Sequence, residues 1–402
     1  MPRMSMDSDT GVDYKGSSLL NRHVLFVISG GIAAVESIKL LRELRRHRAK
    51  ITIMMTKEAE KIISPLAISW AANEKILTDW DPEMKQLDNY DALLVAPATR
   101  NTIAKHIHGI MDSPVMMSLA AARGSQTPIV FIPSMHQDIF DDPVTEDLLQ
   151  QIEKEGNYYL HTTKDEGKVK QPDSIQIVAD FAHIINSRNH NRQVIAITLG
   201  ANRAPIDAVR AIQNASSGRT GWVIAEYLYR MGHEVICIAG KTSANSSFKL
   251  PTIIRAGAPN DMLEASLIVA NENPKPTCWI HAAAVLDYFT EPEIGKIASG
   301  SNKWEITLLP GPKHIAELSE ITRNTVRIGF KLETNVSDDI LIERAIDLIQ
   351  KYGVNAVVAN LLENLGDSSK PRAYIIREDG GHIIAQNEQE MCSQIEDIIL
   401  GN

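Results

Sequence analysis

Residues 206–221 hold the side chains best suited to chemistry in this sequence, in the order IDAVRAIQNASSGRTG. Asp207, Arg210 and Asn214 fall within one short polar run, which offers a clamp for an anion and an amide for a polar substrate. The Ser-Ser-Gly turn at residues 216–218 then opens an amphipathic segment. Free N–H groups and partial positive charge at a helix start can hold phosphate. The run therefore predicts a phosphate site, and the alternative is an ordinary loop whose serines only cap the helix.

The segments around this run have the alternation of a mononucleotide-binding α/β unit. An apolar stretch at residues 194–198 (VIAIT) precedes it and reads as a strand buried in a parallel sheet. Apolar runs and helical periodicity continue the pattern downstream. They predict strands at 234–239, 277–285, 304–308 and 355–360, helices at 260–270 and 389–400, and a hairpin of residues 373–377 with 382–385.

The first half has a similar unit of its own. The apolar run at residues 23–28 predicts a buried strand, and the small residues 29–34 (SGGIAA) follow it at once. Apolar residues at helical spacing and a strand at 51–55, which ends at Thr56, complete a βαβ unit. Its glycines do not match GxGxxG, so the turn favours a single phosphate over a dinucleotide.

Two further strands end in polar turns. The strand predicted at residues 92–95 runs into APATRNT, where Pro97 should stop it because proline has no N–H for the ladder. Thr99 and Asn101 then present a hydroxyl and an amide at the same end of the sheet as the first turn. A strand at residues 128–132 leads into a Pro-Ser-Met-His turn.

Length and composition exclude several classes of protein. The chain has 402 residues, which predicts two or three domains, and 44% hydrophobic with 23% charged residues is ordinary for a soluble protein. A net charge of −9 argues against a nucleic-acid or membrane-surface partner. No apolar run reaches transmembrane length. The three cysteines have no metal-ligand spacing, so we expect no disulfide framework, and a cytoplasmic location fits.

These patterns predict an α/β protein of two Rossmann-like domains with mainly parallel sheets. We expect residues 1–21 to form a mobile polar tail and residues 22–186 to form the first domain. The polar stretch 187–193 (SRNHNRQ) is the predicted linker, and the second domain occupies residues 194–402.

The pattern IDxVRxIxNxSSGxxG resembles the signature of phosphopantothenate–cysteine ligases, the second half of bifunctional coenzyme A biosynthesis proteins. The resemblance implies ligation of 4'-phosphopantothenate with cysteine through an acyl-nucleotide, using CTP or ATP and Mg²⁺. Asn214 would hold the acyl intermediate and Arg210 the phosphopantothenate. Lys296 and the turn of Ser216, Ser217 and Gly218 would neutralise charge at the α-phosphate. Positions that resemble family nucleotide contacts are Asp287, Pro312, Lys313, His314, Ile315 and Phe330.

Two positions of this resemblance depart from the family. The family has two lysines one helical turn apart on the helix before VAN, where this chain has Leu348 and Tyr352. The adjacent Lys351 is therefore the one substitute we assign to the triphosphate. The metal ligands stay unassigned.

The first-half stretches SGGIAA, MT and APATxNT resemble the flavoprotein family that includes phosphopantothenoylcysteine decarboxylase. This resemblance implies an FMN site. Three residues would lie near the flavin phosphate, and four would surround the ring and ribityl chain: Ser29, Gly30 and Ile32, then Thr56, Ala96, Thr99 and Asn101.

The decarboxylase motifs themselves are incomplete. Residues 81–85 (DPEMK) contain no counterpart of the family's catalytic histidine, and residues 161–172 contain no cysteine. His136 stands where the family has the asparagine that holds the substrate carboxylate. Decarboxylation needs a base and a later acid, and Glu83 could serve only with a raised pKa. We therefore expect a flavoprotein fold without release of CO₂.

Three alternatives to this interpretation remain open. One is a fully bifunctional protein that also decarboxylates phosphopantothenoylcysteine. Another is a flavoprotein-derived binding or regulatory protein, against which the presence of both Asn214 and Lys296 argues. The last, a nicotinamide dehydrogenase, is disfavoured by the missing GxGxxG. By resemblance we expect a homo-oligomer with a trimeric flavoprotein half and a dimeric ligase half.

Overall fold

The computed structural model describes residues 10–161, 168–169, 171–298 and 303–401, of which 168–169 are described by their backbone alone. The chain forms two compact units that divide between Asn186 and Ser187. No helix among these residues is both long and apolar enough to cross a bilayer.

The first unit is built on a parallel sheet in the order β3-β2-β1-β4-β5-β7. A separate antiparallel pair joins β6 to β8. The strand bounds are β1 His23–Ile28, β2 Lys50–Met55, β3 Ile76–Leu77, β4 Ala92–Ala98, β5 Ile129–Pro133, β6 Met135–His136, β7 Tyr158–Tyr159 and β8 Lys168–Val169.

Helices cover both faces of this sheet. The helix after β1 shows why: Leu40, Leu41 and Leu44 are buried in the core, whereas Arg42 and Arg45 are not. The helix bounds are α1 Ser37–Arg46, α2 Lys57–Glu60, α3 Pro65–Ala72, α4 Arg100–Ile107, α5 Pro114–Gly124, α6 Gln137–Phe140, α7 Pro143–Lys154 and α8 Ser174–Asn186, with short 3₁₀ turns at Ile32–Glu36 and Lys85–Leu87.

One predicted strand end in this unit is wrong. Strand β4 does not stop at Pro97 but continues to Ala98, with a register shift between Val95 and Ala98. Pro97 cannot donate to the ladder, but its carbonyl accepts from the Ser29 backbone N–H (3.3 Å). The irregular pairing therefore accommodates the proline within the strand.

The second unit has a larger mixed sheet in the order β13-β12-β9-β14-β17-β18-β19-β20. The strands from β13 to β18 are parallel, and β19 and β20 are antiparallel additions at one edge. Its bounds are β9 Val194–Leu199, β12 Glu234–Ala239, β13 Thr252–Arg255, β14 Cys278–His281, β17 Val326–Glu333, β18 Ala356–Leu361, β19 Ala373–Arg377 and β20 His382–Ala385. Two small antiparallel pairs are β10 Arg203–Pro205 with β11 Ala211–Gln213, and β15 Tyr288–Phe289 with β16 Leu309–Pro310.

Helices also pack on this sheet, and their bounds are α9 Arg219–Arg230, α10 Pro259–Asn271, α11 His314–Glu317, α12 Asp338–Tyr352 and α13 Glu388–Leu400, with a 3₁₀ turn at Leu362–Asn364. The predicted strand at residues 304–308 is wrong, because those residues pair with no strand in the described part of the chain, where β16 begins only at Leu309. The predicted α/β class with mainly parallel sheets is confirmed. Parallel strands place the loops after β9, β12 and β14 at one edge of this sheet, which we call the carboxyl edge.

Candidate functional site

The Ser-Ser-Gly turn lies at the carboxyl edge and begins α9. Gly218 has φ of +77°, and a Cβ on it would lie 2.5 Å from the Thr242 Cγ2 atom. Gly221 sits so close to β9 that a Cβ would lie 2.4 Å from the Leu199 Cβ atom. These two glycines bring the helix start against the strand end, which is the geometry of a phosphate-binding βα turn.

The two serine hydroxyls of this turn accept hydrogen bonds from backbone N–H groups at the start of α9. The Ser216 hydroxyl accepts from the Gly218 N–H (3.4 Å), and the Ser217 hydroxyl accepts from the Arg219 N–H (3.3 Å). The next two backbone N–H groups, of Thr220 and Gly221, have no hydrogen-bond acceptor in the described part of the chain. The donors that this helix start leaves for an anion are therefore these two N–H groups.

Asn214 links the polar run to the loop after β14. Its Nδ2 atom donates to the carbonyl oxygens of Ala284 (3.0 Å) and Val285 (3.1 Å). The amide is only partly buried, and its donor side is used by the backbone. Its oxygen is the atom that can accept from a ligand.

Lys296 lies on a loop that hydrogen-bonds to the turn at residues 206–210. The Arg210 Nη2 atom donates to the Ile297 carbonyl (3.0 Å), and the Arg210 guanidinium stacks 4.8 Å from the centre of the Trp304 ring. The Lys296 side chain is exposed and forms no ion pair with any residue that the structure describes. The loop thus reaches the polar run, although no contact joins Lys296 to the serine turn within the described residues.

Asp287 and Lys313, which sequence motifs separately assign to a nucleotide, form an ion pair with each other. Both side chains are about half exposed, at 56% and 53%. The Gly311 N–H donates to the Asp287 carbonyl (2.8 Å), next to the pairing of β15 with β16. The structure therefore brings together the loop after β14 and the stretch that contains Pro312 and Lys313.

The other predicted nucleotide residues lie further along the sheet. Arg327 is buried, and it donates to the carbonyls of Ile315 (2.7 Å) and Tyr352 (2.9 Å). It joins the residue that follows His314 to the last turn of α12, where Lys351 is exposed. His314 itself is 4% exposed, and burial lowers the pKa of its imidazole.

Lys351 is not brought to the start of α9. Helix α12 begins after the carboxyl end of β17 and ends beside Arg327 in the first half of β17, so Lys351 lies towards the amino ends of the strands. Phe330, on β17, is half-buried beside Val358 of β18. Among the described residues, no group of three His, Cys, Asp or Glu side chains could hold a metal ion.

The first unit has a cavity of about 560 Å³ at its own strand ends. Three helix starts face it: Thr56, Thr99 and Ser113 cap α2, α4 and α5 by accepting from N–H groups of the first turns. Gly30 and Asn101 also line it. Cavities of this size with convergent polar groups are typical of cofactor sites.

A second cavity of about 760 Å³ shares Thr99 and Asn101 with the first and is also lined by Ile32 and His136. The Nδ1 atom of His136 lies 3.2 Å from a carboxylate oxygen of Asp138. It also caps α6 by accepting from the Asp138 N–H (3.3 Å).

Two residues assigned to FMN do not line either cavity. Ser29 is fully buried, and its hydroxyl donates to the Pro97 carbonyl (2.7 Å) and accepts from the Thr99 N–H (2.9 Å). Ala96 is 1% exposed and belongs to the core. Ser29 stabilises the turn through these hydrogen bonds and Ala96 packs in the core, and neither side chain lines one of the two cavities.

The acid–base candidates of the first unit are also placed. The Glu83 side chain is 74% exposed and pairs with Lys85 (3.1 Å). The absence of cysteine concerns residues 161–172, of which 162–167 and 170 lie outside the described residues.

Sequence reasoning missed three contributors to these sites. The buried Arg327 gave no signal, because an isolated arginine in an apolar strand has no motif. Trp304 was assigned to a strand, but it stacks on Arg210. Ser113 could have been found, since serine followed by proline before an apolar run is a helix-start signal.

Comparison with known proteins defines the class of each unit. Residues 14–186 match the family Flavoprotein. Residues 190–401 match the DNA/pantothenate metabolism flavoprotein C-terminal domain. The chain is thus a flavoprotein domain followed by a pantothenate-metabolism domain.

The same order occurs in whole-length relatives. The chain is 32% identical over 393 residues to the coenzyme A biosynthesis bifunctional protein CoaBC of Thermococcus kodakarensis, covering 96% of each chain. It is 30% identical to CoaBC of Methanocaldococcus jannaschii, covering 95% of this chain and 94% of that one. A solved DNA/pantothenate metabolism flavoprotein from Streptococcus pneumoniae is 24% identical, with a TM-score of 0.47, over 52% of this chain and 99% of that one. The chain belongs to the family of coenzyme A biosynthesis bifunctional proteins, as its motifs predict.

Proposed function

We propose that the second unit joins 4'-phosphopantothenate to cysteine at the carboxyl edge. In the first step the pantothenate carboxylate attacks the α-phosphorus of CTP or ATP, and pyrophosphate leaves. In the second step the cysteine amine attacks the acyl carbon, an amide bond forms, and the nucleoside monophosphate leaves with the pair of electrons of the broken C–O bond. The amine proton passes to solvent or to the leaving phosphate. Mg²⁺ accompanies the nucleotide as part of the substrate.

The residues of the carboxyl edge suit the charges of these steps. The N–H groups of Thr220 and Gly221 point from a helix start of positive potential, which stabilises phosphate oxygens. Lys296 supplies a full positive charge on a neighbouring loop, where it opposes the charge that develops at the α-phosphate. The Asn214 oxygen accepts from the acyl intermediate or the incoming amine.

The contact of Asn214 with the Ala284 carbonyl carries this proposal, because it joins the polar run that leads into α9 to the loop after β14. The test is pyrophosphate release that requires phosphopantothenate and nucleotide together. We expect Lys296→Ala to lower kcat by about 100- to 1,000-fold, as loss of one charge-stabilising group does. Lys275→Ala, an exposed lysine before β14, is the control. Nucleotide-dependent release that persists unchanged in Lys296→Ala would contradict the assignment.

For the first unit we infer that the 560 Å³ cavity holds FMN. Its helix starts offer partial positive charge to a phosphate, and Thr56, Thr99 and Asn101 offer a hydroxyl or an amide to a polar ligand, so the donor set fits this cofactor. FMN, when bound, supplies a hydride acceptor. His136 in the adjoining cavity can donate a hydrogen bond to a substrate carboxylate. Its imidazole cannot present a donor and an acceptor side by side, as the amide of an asparagine does.

We also propose that the protein is a homo-oligomer. Large apolar side chains are exposed on both units, including Leu66 (74%) and Trp70 (61%) on the first and Ile294 (107%) and Leu309 (53%) on the second. Such surfaces favour burial against another chain. Light scattering of the purified protein tests this, and a monomer at micromolar concentration would contradict it.

A further inference from the structure

Backbone and side-chain hydrogen bonds tie the loop that carries Lys296 to the turn at residues 206–210. The Glu293 N–H donates to the Ile206 carbonyl (2.9 Å), and the Ala208 N–H donates to the Gly295 carbonyl (3.0 Å). The Ile297 N–H donates to the Asp207 Oδ2 atom (3.1 Å). Lys296 therefore lies between two residues that are both held by this turn.

Asp207 is the centre of this contact. It is 3% exposed, and its Oδ1 atom accepts from the N–H groups of Val209 (2.8 Å) and Arg210 (2.7 Å). Its Oδ2 atom accepts from Ile297 and lies 3.3 Å from the Arg210 Nη1 atom. Backbone N–H donors, that of Val209 foremost, lower the pKa of this carboxyl, so it is a carboxylate at neutral pH.

Arg210 completes the same contact from the other side. Its guanidinium reaches the Asp207 carboxylate and the Ile297 carbonyl, and it stacks on Trp304. These three contacts occupy a side chain that its motif assigns to phosphopantothenate. In this structure the arginine holds the loop.

We propose that Asp207, together with Arg210, is a positioning residue that sets where the Lys296 ammonium stands relative to the start of α9. The inference rests on the proposed ligase function, because it concerns how the cation of that site is placed. A flexible lysine gains catalytic value only when its stem is fixed, and a displacement of about 1 Å can lower a rate about 100-fold. Asp207 precedes Ile297 by 90 residues in the sequence, and it contacts the Ile297 N–H through one carboxylate oxygen.

The structure suggests a substitution that removes the two contacts of Oδ2, with the Ile297 N–H and with the Arg210 guanidinium, and keeps the contacts of Oδ1. In Asp207→Asn the amide oxygen can keep the hydrogen bonds from Val209 and Arg210, while the amide nitrogen opposes the Ile297 N–H as a second donor. Ile297→Pro removes the donor from the opposite side and leaves Asp207 in place. Glu264→Gln removes an exposed carboxylate on α10 that pairs with no described residue, and it is the matched control.

The experiment measures kcat and KM for pyrophosphate release in these variants, alone and combined with Lys296→Ala. We expect Asp207→Asn and Ile297→Pro to lower kcat about 10- to 100-fold with smaller changes in KM. In the Lys296→Ala background, the same substitutions should change kcat by less than about twofold, because Asp207 acts through the lysine. A full additional loss in that background, or wild-type kcat in Asp207→Asn, would overturn the proposal.

Limited trypsin digestion separates this proposal from the proposed function. Trypsin cleaves after exposed lysines, and it does so faster where the backbone is less constrained. Loss of the Asp207 contact frees the loop, so ligand-free Asp207→Asn should be cleaved faster at Lys296 than the wild type, with other sites unchanged. Equal cleavage would overturn the tether even if the enzyme is active. Faster cleavage in a protein that releases no pyrophosphate would preserve the tether and reject the ligase function.

Discussion

The Asn214 side-chain nitrogen lies 3.0 Å from the Ala284 carbonyl oxygen, across a sequence separation of 70 residues. That bond ties the polar run after β9 to the loop after β14. A carboxylate in the same place would set one oxygen, where the Nδ2 donor now lies, against two carbonyl oxygens, which makes this position unusually sensitive to an isosteric change.

We therefore expect Asn214→Asp to lower the free energy of unfolding of the second unit by about 1–3 kcal/mol and to abolish pyrophosphate release. Asn214→Ala should be less destabilising, because it removes the donor without adding a charge. Denaturant unfolding of both variants measures the difference. Asn214→Asp as stable as the wild type would show that this bond does not hold the loop.

Substitution of the Asp287–Lys313 ion pair should change the free energy of unfolding little and the KM for nucleotide much more. Both side chains are about half exposed, so Lys313→Ala should change the free energy of unfolding by only about 0.2–1 kcal/mol. If both groups contact the nucleotide, the KM for nucleotide should rise about tenfold or more, as loss of a charge-assisted contact implies.

The exposed pair of Lys303 and Glu305 supplies the control for that experiment. Lys303→Ala should change stability by a similar amount and leave the KM for nucleotide unaltered. An equal KM in the two variants would remove Lys313 from the nucleotide site.

His281 predicts acid sensitivity of the second unit. Burial lowers the pKa of its imidazole to about 3, whereas the unfolded chain titrates near 6.5. Between these values the unfolded state binds more protons, so stability falls as the pH falls, by at most about 1.4 kcal/mol per pH unit.

We expect His281→Phe to shrink the loss of stability between pH 7.5 and pH 5.5, as measured by urea unfolding at both values. His382→Gln, an exposed histidine on β20, should leave that loss unchanged. The prediction fails if His281→Phe and the wild type lose stability equally on acidification.

Flavin content tests the first cavity. Thr99→Ala removes a cap that faces both cavities, and Ser64→Ala removes the cap of α3, which lines neither. Each should lower stability by about 1 kcal/mol, as loss of a helix cap does. Only Thr99→Ala should lower the flavin content of the purified protein, read from its visible absorbance. Equal flavin content in both variants would argue against the cavity as the FMN site.

The incomplete decarboxylase motif gives a prediction on CO₂. Purified protein with phosphopantothenoylcysteine should release none, because Glu83 is exposed and paired with Lys85 and no histidine stands in its place. Robust release by the wild type that His136→Asn abolishes would identify His136 as the missing acid–base group.

Much of this fold could be predicted from local pattern. β1 spans the predicted residues 23–28, and α9 starts after the serine turn as expected. Both predictions succeed because a short run of consecutive residues is enough to indicate a buried strand or a helix start. The roles of Ser29, Arg210 and Lys351 could not be found that way. The Ser29 hydroxyl bonds to Pro97 and Thr99, and the Arg210 guanidinium bonds to a loop 87 residues away. The direction of α12 places Lys351 away from the start of α9. Each depends on which distant segment lies alongside, and a short motif does not contain that information.

The close fit of Gly221 beneath Leu199 has a consequence for how such a site can vary. A single methyl group at residue 221 would push α9 away from β9 and displace the N–H groups of Thr220 and Gly221 at its start. A side chain cannot be added at residue 221 without moving α9, because Leu199 already occupies that space. The position of the N–H groups at the start of α9 therefore depends on the absence of a Cβ atom at residue 221.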